Sequence, residues 1–370
     1  MKRFAALILL AGVTAACGEK ASHVSGTPSA SPTAAGGHGS GEVLIVTAVT
    51  PQSEPGILTH YSLSGTRVAH FTLDAGIRVL AVAGSRTFFQ HASDHLKAIR
   101  RDGTIEDLGS LGASVRWFAA SPDGTKWIWS TSDDSSGTVH SAVHLGGDGL
   151  TVRIVEELTR TATVLGPLSW TRQGAFVQYG PAYGHGGYFP FGRTNEWLLV
   201  EGSVHQLDPL AGHITAMPAT YGCTFGDMAV DGTVICFPGG AYVRLVSSSG
   251  KTTNIPLATP RFNTVGEAFC APTEAMCTVA GATGVGNAMD PNHQPEQYGT
   301  DLVTTDGSIS RFGPDGVDPA MGWQSWLPDG SLVLWRRPGA AGGPPGLYVL
   351  DKSGHGPFIG DTGEPVGYLN

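Results

Sequence analysis

The chain has 370 residues, of which 53 are glycine and 24 are proline, and only 14% are charged. Its net charge is −9 and it has no block of lysine or arginine, which argues against a nucleic-acid partner because such proteins need a basic surface. High glycine with frequent valine, threonine and aromatic residues is typical of many short strands joined by tight turns, and one all-β unit can hold this length.

The first 17 residues have the layout of a bacterial export signal. Lys2-Arg3 is a basic start, Phe4–Val13 is an apolar run, and small residues precede Cys17. A run this short is typical of a signal peptide and not of a membrane-spanning helix. The ending resembles a lipobox, the cleavage site of bacterial lipoproteins, which implies lipidation at Cys17. An ordinary cleaved signal is the alternative.

Residues 18–41 contain mainly Ser, Pro, Thr, Ala and Gly, with almost no large apolar side chain. Such a segment cannot bury enough apolar surface to offset the entropy of ordering it. We therefore predict a flexible tether between a lipid anchor and a folded body at residues 42–370. This organisation predicts an exported protein of the bacterial cell envelope that is anchored to a membrane.

The segment Phe118–Trp129, FAASPDGTKWIW, predicts a β-hairpin because two apolar runs flank a Ser-Pro-Asp-Gly turn. Weaker copies recur roughly every 40–50 residues, a spacing typical of propellers. Each repeat reads as four strands, lettered a to d outward from the axis. A glycine marks every c–d turn: Gly65, Gly103, Gly149, Gly212, Gly250, Gly307 and Gly354. We predict a seven-bladed all-β propeller, with six or eight blades as alternative counts and a β-sandwich as the alternative fold.

The first group of strands lacks its strand a, while Pro365–Leu369 follows the last complete group. A propeller commonly closes its ring by letting one chain end complete the blade begun by the other, which removes an exposed sheet edge. The C-terminal strand is therefore predicted to be strand a of the first blade.

The sequences SPDGTKWIW (121–129) and WLPDGSLVLW (326–335) resemble the repeats of TolB-like and WD-repeat-like propellers. LDPLAG (207–212) is similar to a turn of the YVTN and quinoprotein-like group. The resemblance covers most of residues 42–370. It implies the propeller fold and no particular activity, because propellers host many unrelated functions.

Four cysteines lie in the folded body. Cys270 and Cys277 flank a short turn and directly oppose each other on adjacent strands, within bridging distance. Cys223 and Cys236 bracket the preceding hairpin, but strict pairing does not align them, so their bridge requires a β-bulge or a longer turn. In an exported protein we predict two disulfides, and the spacing lacks the pattern of a zinc site.

Strand direction alternates, so the b–c and d–a connections emerge on one face of the ring, here named the loop face. The a–b and c–d turns emerge on the opposite turn face. Long b–c segments at 180–195 and 281–298 predict that binding occurs on the loop face. The candidate ligand- or partner-binding residues are Tyr183, His185, Tyr188, Phe189, Arg193, Asp290 and His293.

Aromatic area combined with polar groups in these segments favours an envelope protein or a glycan as partner. Phe189 has an alternative role, pinning its loop to the blade, and a metal site shared by His185, Asp290 and His293 is a further alternative. No Gly-x-Ser-x-Gly elbow, paired metal-binding histidines or cysteine flanked by a base is present in the sequence.

We therefore favour a monomeric, non-enzymatic binding or scaffolding module without a cofactor. The alternative is an extracytoplasmic hydrolase or lyase whose site, at the axial mouth of the loop face, uses His185, Arg193, Asp290 or His293.

Overall fold

The computed structural model describes residues 42–47, 55–62, 64–91, 94–112, 115, 117–135, 137–161, 163–181, 204–238, 242–257, 264–283, 297–312, 324–327, 330–336, 344, 346–360 and 364–369. These residues form 28 strands and one short 3₁₀ helix at Pro218–Thr220. None of the helical structure within these ranges is long and apolar enough to cross a membrane.

The strands of the first half are β1 (Glu42–Thr47), β2 (Pro55–Ser62), β3 (Arg67–Ala75), β4 (Arg78–Ala83), β5 (Arg86–Gln90), β6 (His95–Arg100), β7 (Ile105–Ser110), β8 (Trp117–Ala120), β9 (Lys126–Ser135), β10 (Thr138–Gly147), β11 (Arg153–Thr161), β12 (Thr163–Thr171), β13 (Gly174–Pro181) and β14 (Val204–Asp208). Those of the second half are β15 (His213–Ala216), β16 (Thr224–Met228), β17 (Val234–Phe237), β18 (Tyr242–Val246), β19 (Thr252–Pro256), β20 (Thr264–Cys270), β21 (Met276–Thr283), β22 (Gln297–Thr304), β23 (Ile309–Arg311), β24 (Gln324–Trp326), β25 (Leu332–Arg336), β26 (Gly346–Leu350), β27 (Phe358–Gly360) and β28 (Glu364–Leu369).

The strands form seven four-stranded antiparallel sheets, and each sheet is one blade. Blade 1 has the order β28-β1-β2-β3, and blades 2 to 7 take the strands from β4 to β27 in groups of four. Strand a of every blade contacts strand a of both neighbouring blades, so the blades close a ring around a central axis. The predicted all-β, seven-bladed propeller is confirmed.

The ring is closed by the two ends of the folded chain. β28 pairs antiparallel with β1, from Val46 opposite Glu364 to Glu42 opposite Leu369. This pairing confirms the predicted role of the C-terminal strand. Strand a runs from the loop face to the turn face, and strand b runs back. Glu42 and Leu369 therefore both lie on the turn face, where the chain enters and leaves the propeller.

The turns follow the predicted chemistry. All seven c–d glycines have positive φ, between 68° and 98°. In the SPDG turn, the Asp123 carboxylate accepts hydrogen bonds from Ser121 Oγ at 2.6 Å and from the Thr125 N–H at 3.0 Å. These two bonds, the one from Ser121 first, lower the pKa of Asp123. The side chains of the turn thus replace the water that would otherwise bind its polar groups.

Both predicted disulfides are present. Cys270 and Cys277 are direct register partners with their Cα atoms 3.9 Å apart. Cys223 and Cys236 are bridged with their Cα atoms 5.6 Å apart. The register of β16 against β17 shifts between Phe225 and Asp227, and this is the bulge that the second bridge required. Two disulfides indicate an oxidising, non-cytoplasmic location.

The hydrophobic core is divided among the interfaces between neighbouring blades. Between blades 3 and 4, for example, Ile128 and Val143 pack with Leu165 and Val177, and all four are buried. Each blade is therefore stabilised by both of its neighbours.

Candidate functional site

A cavity of about 510 Å³ lies at the centre of the turn face. Every strand a contributes lining residues near its last residue: Gly367 and Tyr368 of β28, Ala83 of β4, Ala120 of β8, Ser169, Trp170 and Thr171 of β12, Asp227 and Met228 of β16, Cys270 of β20 and Trp326 of β24. Because all seven blades take part, the cavity lies on the propeller axis. We name it the axial cavity.

The wall of the axial cavity contains main-chain groups as well as side chains. Strand a is the end strand of every sheet, so one of its edges has no neighbouring strand. The N–H and C=O groups of that edge need other partners, such as water or a side chain of a neighbouring blade. The apolar part of the lining includes Trp170, Met228 and Trp326. Trp326 is fixed in place because its Nε1 donates to the Phe269 carbonyl at 2.8 Å.

Asp227 places a carboxylate in this wall. Its Oδ1 accepts the N–H of Met228 at 2.8 Å, and its Oδ2 accepts the N–H of Cys270 on the neighbouring blade at 2.7 Å. The bulge residue Gly226 makes the arrangement sterically feasible, because a Cβ there would lie 2.9 Å from the Phe237 ring and 3.0 Å from Ala268. The bulge changes the direction in which the next side chain points.

Ser169 occupies the corresponding position in blade 4. The register of β12 against β13 also shifts just before it, between Pro167 and Ser169. The Ser169 hydroxyl is buried and makes no hydrogen bond within the described part of the chain. A carboxylate and a hydroxyl thus lie at one level of the cavity, on adjacent blades.

Arg172 lies nearer the mouth, in the a–b turn of blade 4. Its side chain is exposed and makes no ion pair or hydrogen bond to any residue that the structure describes. It follows Ser169 by three residues, which corresponds to about 10 Å along the axis at the rise of a strand. The axial cavity therefore has a carboxylate at its inner level and a guanidinium at its rim.

A second polar network joins blades 2 and 3 on the turn face, around the buried side chain of Arg86. Arg86 donates to Glu106 at 2.8 Å, to Asp148 at 2.9 Å and to the Gly124 carbonyl at 2.9 Å. Burial lowers the pKa of Arg86, but the bonds to Asp148 and Glu106 outweigh burial and raise it. Burial raises the pKa of Glu106, and the bonds from Arg100 and Arg86 lower it overall. We name this network the Arg86 clasp.

The interface between blades 2 and 3 also contains His144, which lies further from the turn face than the Arg86 clasp does. The His144 ring stacks on Trp129, with centroids 5.1 Å apart and planes 13° apart, and its Nε2 lies 2.8 Å from Thr131 Oγ1. Burial lowers the pKa of His144, against a smaller opposing effect of Glu157. Burial therefore favours the neutral form of the ring.

The residues that the sequence singled out for binding lie outside the described ranges. These are Tyr183, His185, Tyr188, Phe189, Arg193, Asp290 and His293, together with the lipidation candidate Cys17. They stay predictions. In the part of the chain that the structure describes, no three His, Cys, Asp or Glu side chains are grouped so that they could hold a metal ion.

The sequence did not reveal the axial cavity. Asp227 and Ser169 line it because each follows a bulge, and bulges are seldom visible in a sequence. The sequence carried one signal for this site. Asp227 and Ser169 are polar, whereas Ala119, at the corresponding position of strand a in blade 3, is apolar.

No protein-family model and no curated protein sequence matches this chain. Solved structures with similar folds include an oligogalacturonate lyase in complex with manganese, with a TM-score of 0.58 and 11% identity over 83% of this chain and 85% of that one. The Pyrococcus horikoshii acylaminoacyl peptidase has a TM-score of 0.55 and 10% identity over 86% of this chain and 50% of that one. The β-propeller domain of the Trilobed protease from Pyrococcus furiosus has a TM-score of 0.51 and 11% identity over 87% of this chain and 94% of that one. At these identities the likeness shows the fold alone.

Proposed function

We propose that this chain is a lipid-anchored propeller of the bacterial cell envelope that binds a protein or glycan through its loop face. The observation that carries the proposal is the pairing of Glu42 with Leu369, which puts the start of the first described strand on the turn face. The predicted tether, residues 18–41, would join the propeller at this face, which is opposite to the face where β13 and β21 end.

The tether keeps the propeller close to the membrane. A flexible chain of 24 residues has a root-mean-square span of about 25–29 Å. We expect an envelope partner to bind the loop face, at the end of the first described strand opposite to Glu42.

The predicted partner chemistry follows from the b–c segments. Tyr183, Tyr188 and Arg193 are of the residue types that supply most of the binding energy at protein interfaces, and aromatic rings also stack on sugars. Two disulfides suit a scaffold that works outside the cytoplasm.

Site-specific photo-crosslinking in cells tests this proposal. A photoreactive amino acid at Tyr188 should give a discrete adduct, while the same group at Ser249, in a c–d turn of the turn face, should not. Equal adducts at both positions, or none at Tyr188, would overturn loop-face binding. The variant Cys17→Ser should move the protein from the membrane fraction to the soluble fraction, and retention in the membrane would overturn the lipid anchor.

The enzyme alternative has its own test. Two of the structures with a similar fold are an oligogalacturonate lyase and an acylaminoacyl peptidase, so their substrate classes are suitable probes. Oligogalacturonate, with and without manganese, and an N-acylated peptide should stay intact in the presence of this protein. Turnover that His293→Ala abolishes would replace the binding proposal with a catalytic one.

A further inference from the structure

We propose that the Cys270–Cys277 disulfide is a thiol–disulfide exchange site, which low-molecular-weight thiols reach through the axial cavity. This site lies on the turn face and does not depend on the proposed function of the loop face. Two features of the molecule support it. The two disulfides differ in burial, and the hairpin that carries Cys270 and Cys277 holds them opposite each other without help from the bridge.

The two disulfides differ in how well a small molecule can reach them. Cys270 is partly exposed and lines the axial cavity together with residues 271–273. Its partner Cys277 is 0% exposed. Cys223 and Cys236 are both 0% exposed, and they lie in an apolar cluster between blades 4 and 5, outside the lining of the axial cavity. Because exchange requires contact between the attacking sulfur and a sulfur of the bridge, Cys270 is the one of these four cysteines that a thiol can attack in the folded protein.

The axial cavity gives a small thiol a route to Cys270. Its volume of about 510 Å³ lies in the range of small-ligand pockets, so a molecule of the size of cysteine or glutathione fits. Arg172 at its rim is exposed to solvent, so the cavity can be entered from the turn face.

The exchange proceeds in two balanced steps. A thiolate in the cavity attacks Cys270 Sγ and forms a bond to it, while the bond between the two cysteines breaks and its electron pair passes to Cys277 Sγ, which takes up a proton. A second thiolate then attacks the sulfur of the first thiol, which gives a small-molecule disulfide and leaves Cys270 as a thiolate. Two small thiols are thereby oxidised while the protein disulfide is reduced, and a small-molecule disulfide reverses both steps.

The hairpin of β20 and β21 keeps the two cysteines in place when the bridge opens. Cys270 and Cys277 are direct register partners, and across the turn the N–H of Ala271 donates to the Met276 carbonyl at 2.9 Å. The N–H of Cys270 also donates to Asp227 Oδ2 on the neighbouring blade at 2.7 Å. These bonds do not involve sulfur, so the reduced cysteines stay opposite each other and the bridge can form again.

Reduction of the folded, unaltered protein tests this inference, with the second disulfide as the internal control. The protein is incubated with millimolar glutathione, free thiols are alkylated at intervals, and peptide mass spectrometry identifies them. We expect Cys270–Cys277 to open at least about tenfold faster than Cys223–Cys236, which needs local unfolding first, and we expect the glutathione adduct on Cys270. Equal rates for the two bridges, faster opening of Cys223–Cys236, an adduct on Cys277 or no opening of either bridge would overturn the proposal.

Two variants show which sulfur is attacked. Cys277→Ser leaves the Cys270 thiol in the wall of the cavity, whereas Cys270→Ser leaves the buried Cys277 thiol. With glutathione disulfide as the probe, Cys277→Ser should form a mixed disulfide at least about tenfold faster than Cys270→Ser. Equal rates in the folded variants would overturn the assignment to Cys270. If either variant does not fold, the experiment on the unaltered protein decides.

Discussion

Two regions of the turn face use the same side-chain chemistry for different purposes. In the Arg86 clasp the guanidinium is buried, and it is neutralised by Glu106 and Asp148. In the axial cavity the carboxylate of Asp227 is held by main-chain N–H groups, and Arg172 is exposed without a partner among the described residues. The first arrangement satisfies the charge of its guanidinium within the protein, while the second leaves the guanidinium of Arg172 without a partner among the described residues. Charged groups with complete internal pairing indicate a structural role.

The largest expected effect is the loss of the clasp. Arg86→Met removes a donor that Glu106, Asp148 and the Gly124 carbonyl share. It should lower the free energy of unfolding by about 2–4 kcal/mol, because the Glu106 carboxylate, which is 22% exposed, and the buried Gly124 carbonyl lose that donor. Arg100→Met is the matched control. Arg100 bonds the same Glu106 but is 44% exposed, so we expect about 1 kcal/mol or less. Denaturant unfolding measures both, and equal losses would contradict a clasp centred on Arg86.

The two disulfides should differ slightly in their contribution. The Cys223–Cys236 bridge spans 13 residues of sequence and the Cys270–Cys277 bridge spans 7. The chain-entropy relation gives about 3 kcal/mol for the first loop and about 2.5 kcal/mol for the second. Replacing each pair with serine and measuring urea unfolding tests this order. A larger loss for the shorter loop would show that its position in the cavity wall matters more than loop entropy.

The next largest loss of stability is expected where the a–b turns of blades 2 and 3 pack against each other through their main chains. Gly84 donates its N–H to the Pro122 carbonyl at 3.1 Å, and a Cβ at Gly84 would lie 2.2 Å from the Asp123 carbonyl oxygen. Gly84→Ala should therefore cost about 2 kcal/mol or more, through both the clash and the positive φ. Gly149→Ala has positive φ but no atom within 4 Å of the added Cβ, so it should cost only about 1 kcal/mol. Similar thermal shifts for the two variants would mean that the turns can move apart.

Turn chemistry explains why much of the fold could be predicted. Glycines such as Gly103 mark c–d turns because residues with positive φ are restricted in type, and SPDG carries its own hydrogen bonds. Cys270 and Cys277 could be paired because they are equidistant from a turn. Asp227 could not be placed, because its position depends on the Gly226 bulge and on a neighbouring blade distant in sequence. Local rules fix hairpins, whereas the site arises from contacts between hairpins.

The smallest expected effect is a pH dependence of the free energy of unfolding, which we attribute to His144 at the interface between blades 2 and 3. Burial lowers the pKa of His144 in the folded protein, whereas in the unfolded chain it titrates near its ordinary value of about 6.5. As the pH falls below about 6.5, the unfolded chain takes up a proton that the folded protein does not, so the free energy of unfolding decreases. His144→Gln should flatten this decrease at mildly acidic pH, because glutamine does not titrate. His140→Gln, an exposed histidine of the same strand, is the matched control, and urea unfolding across this pH range measures both variants. An unchanged slope in His144→Gln would assign the pH dependence to another group.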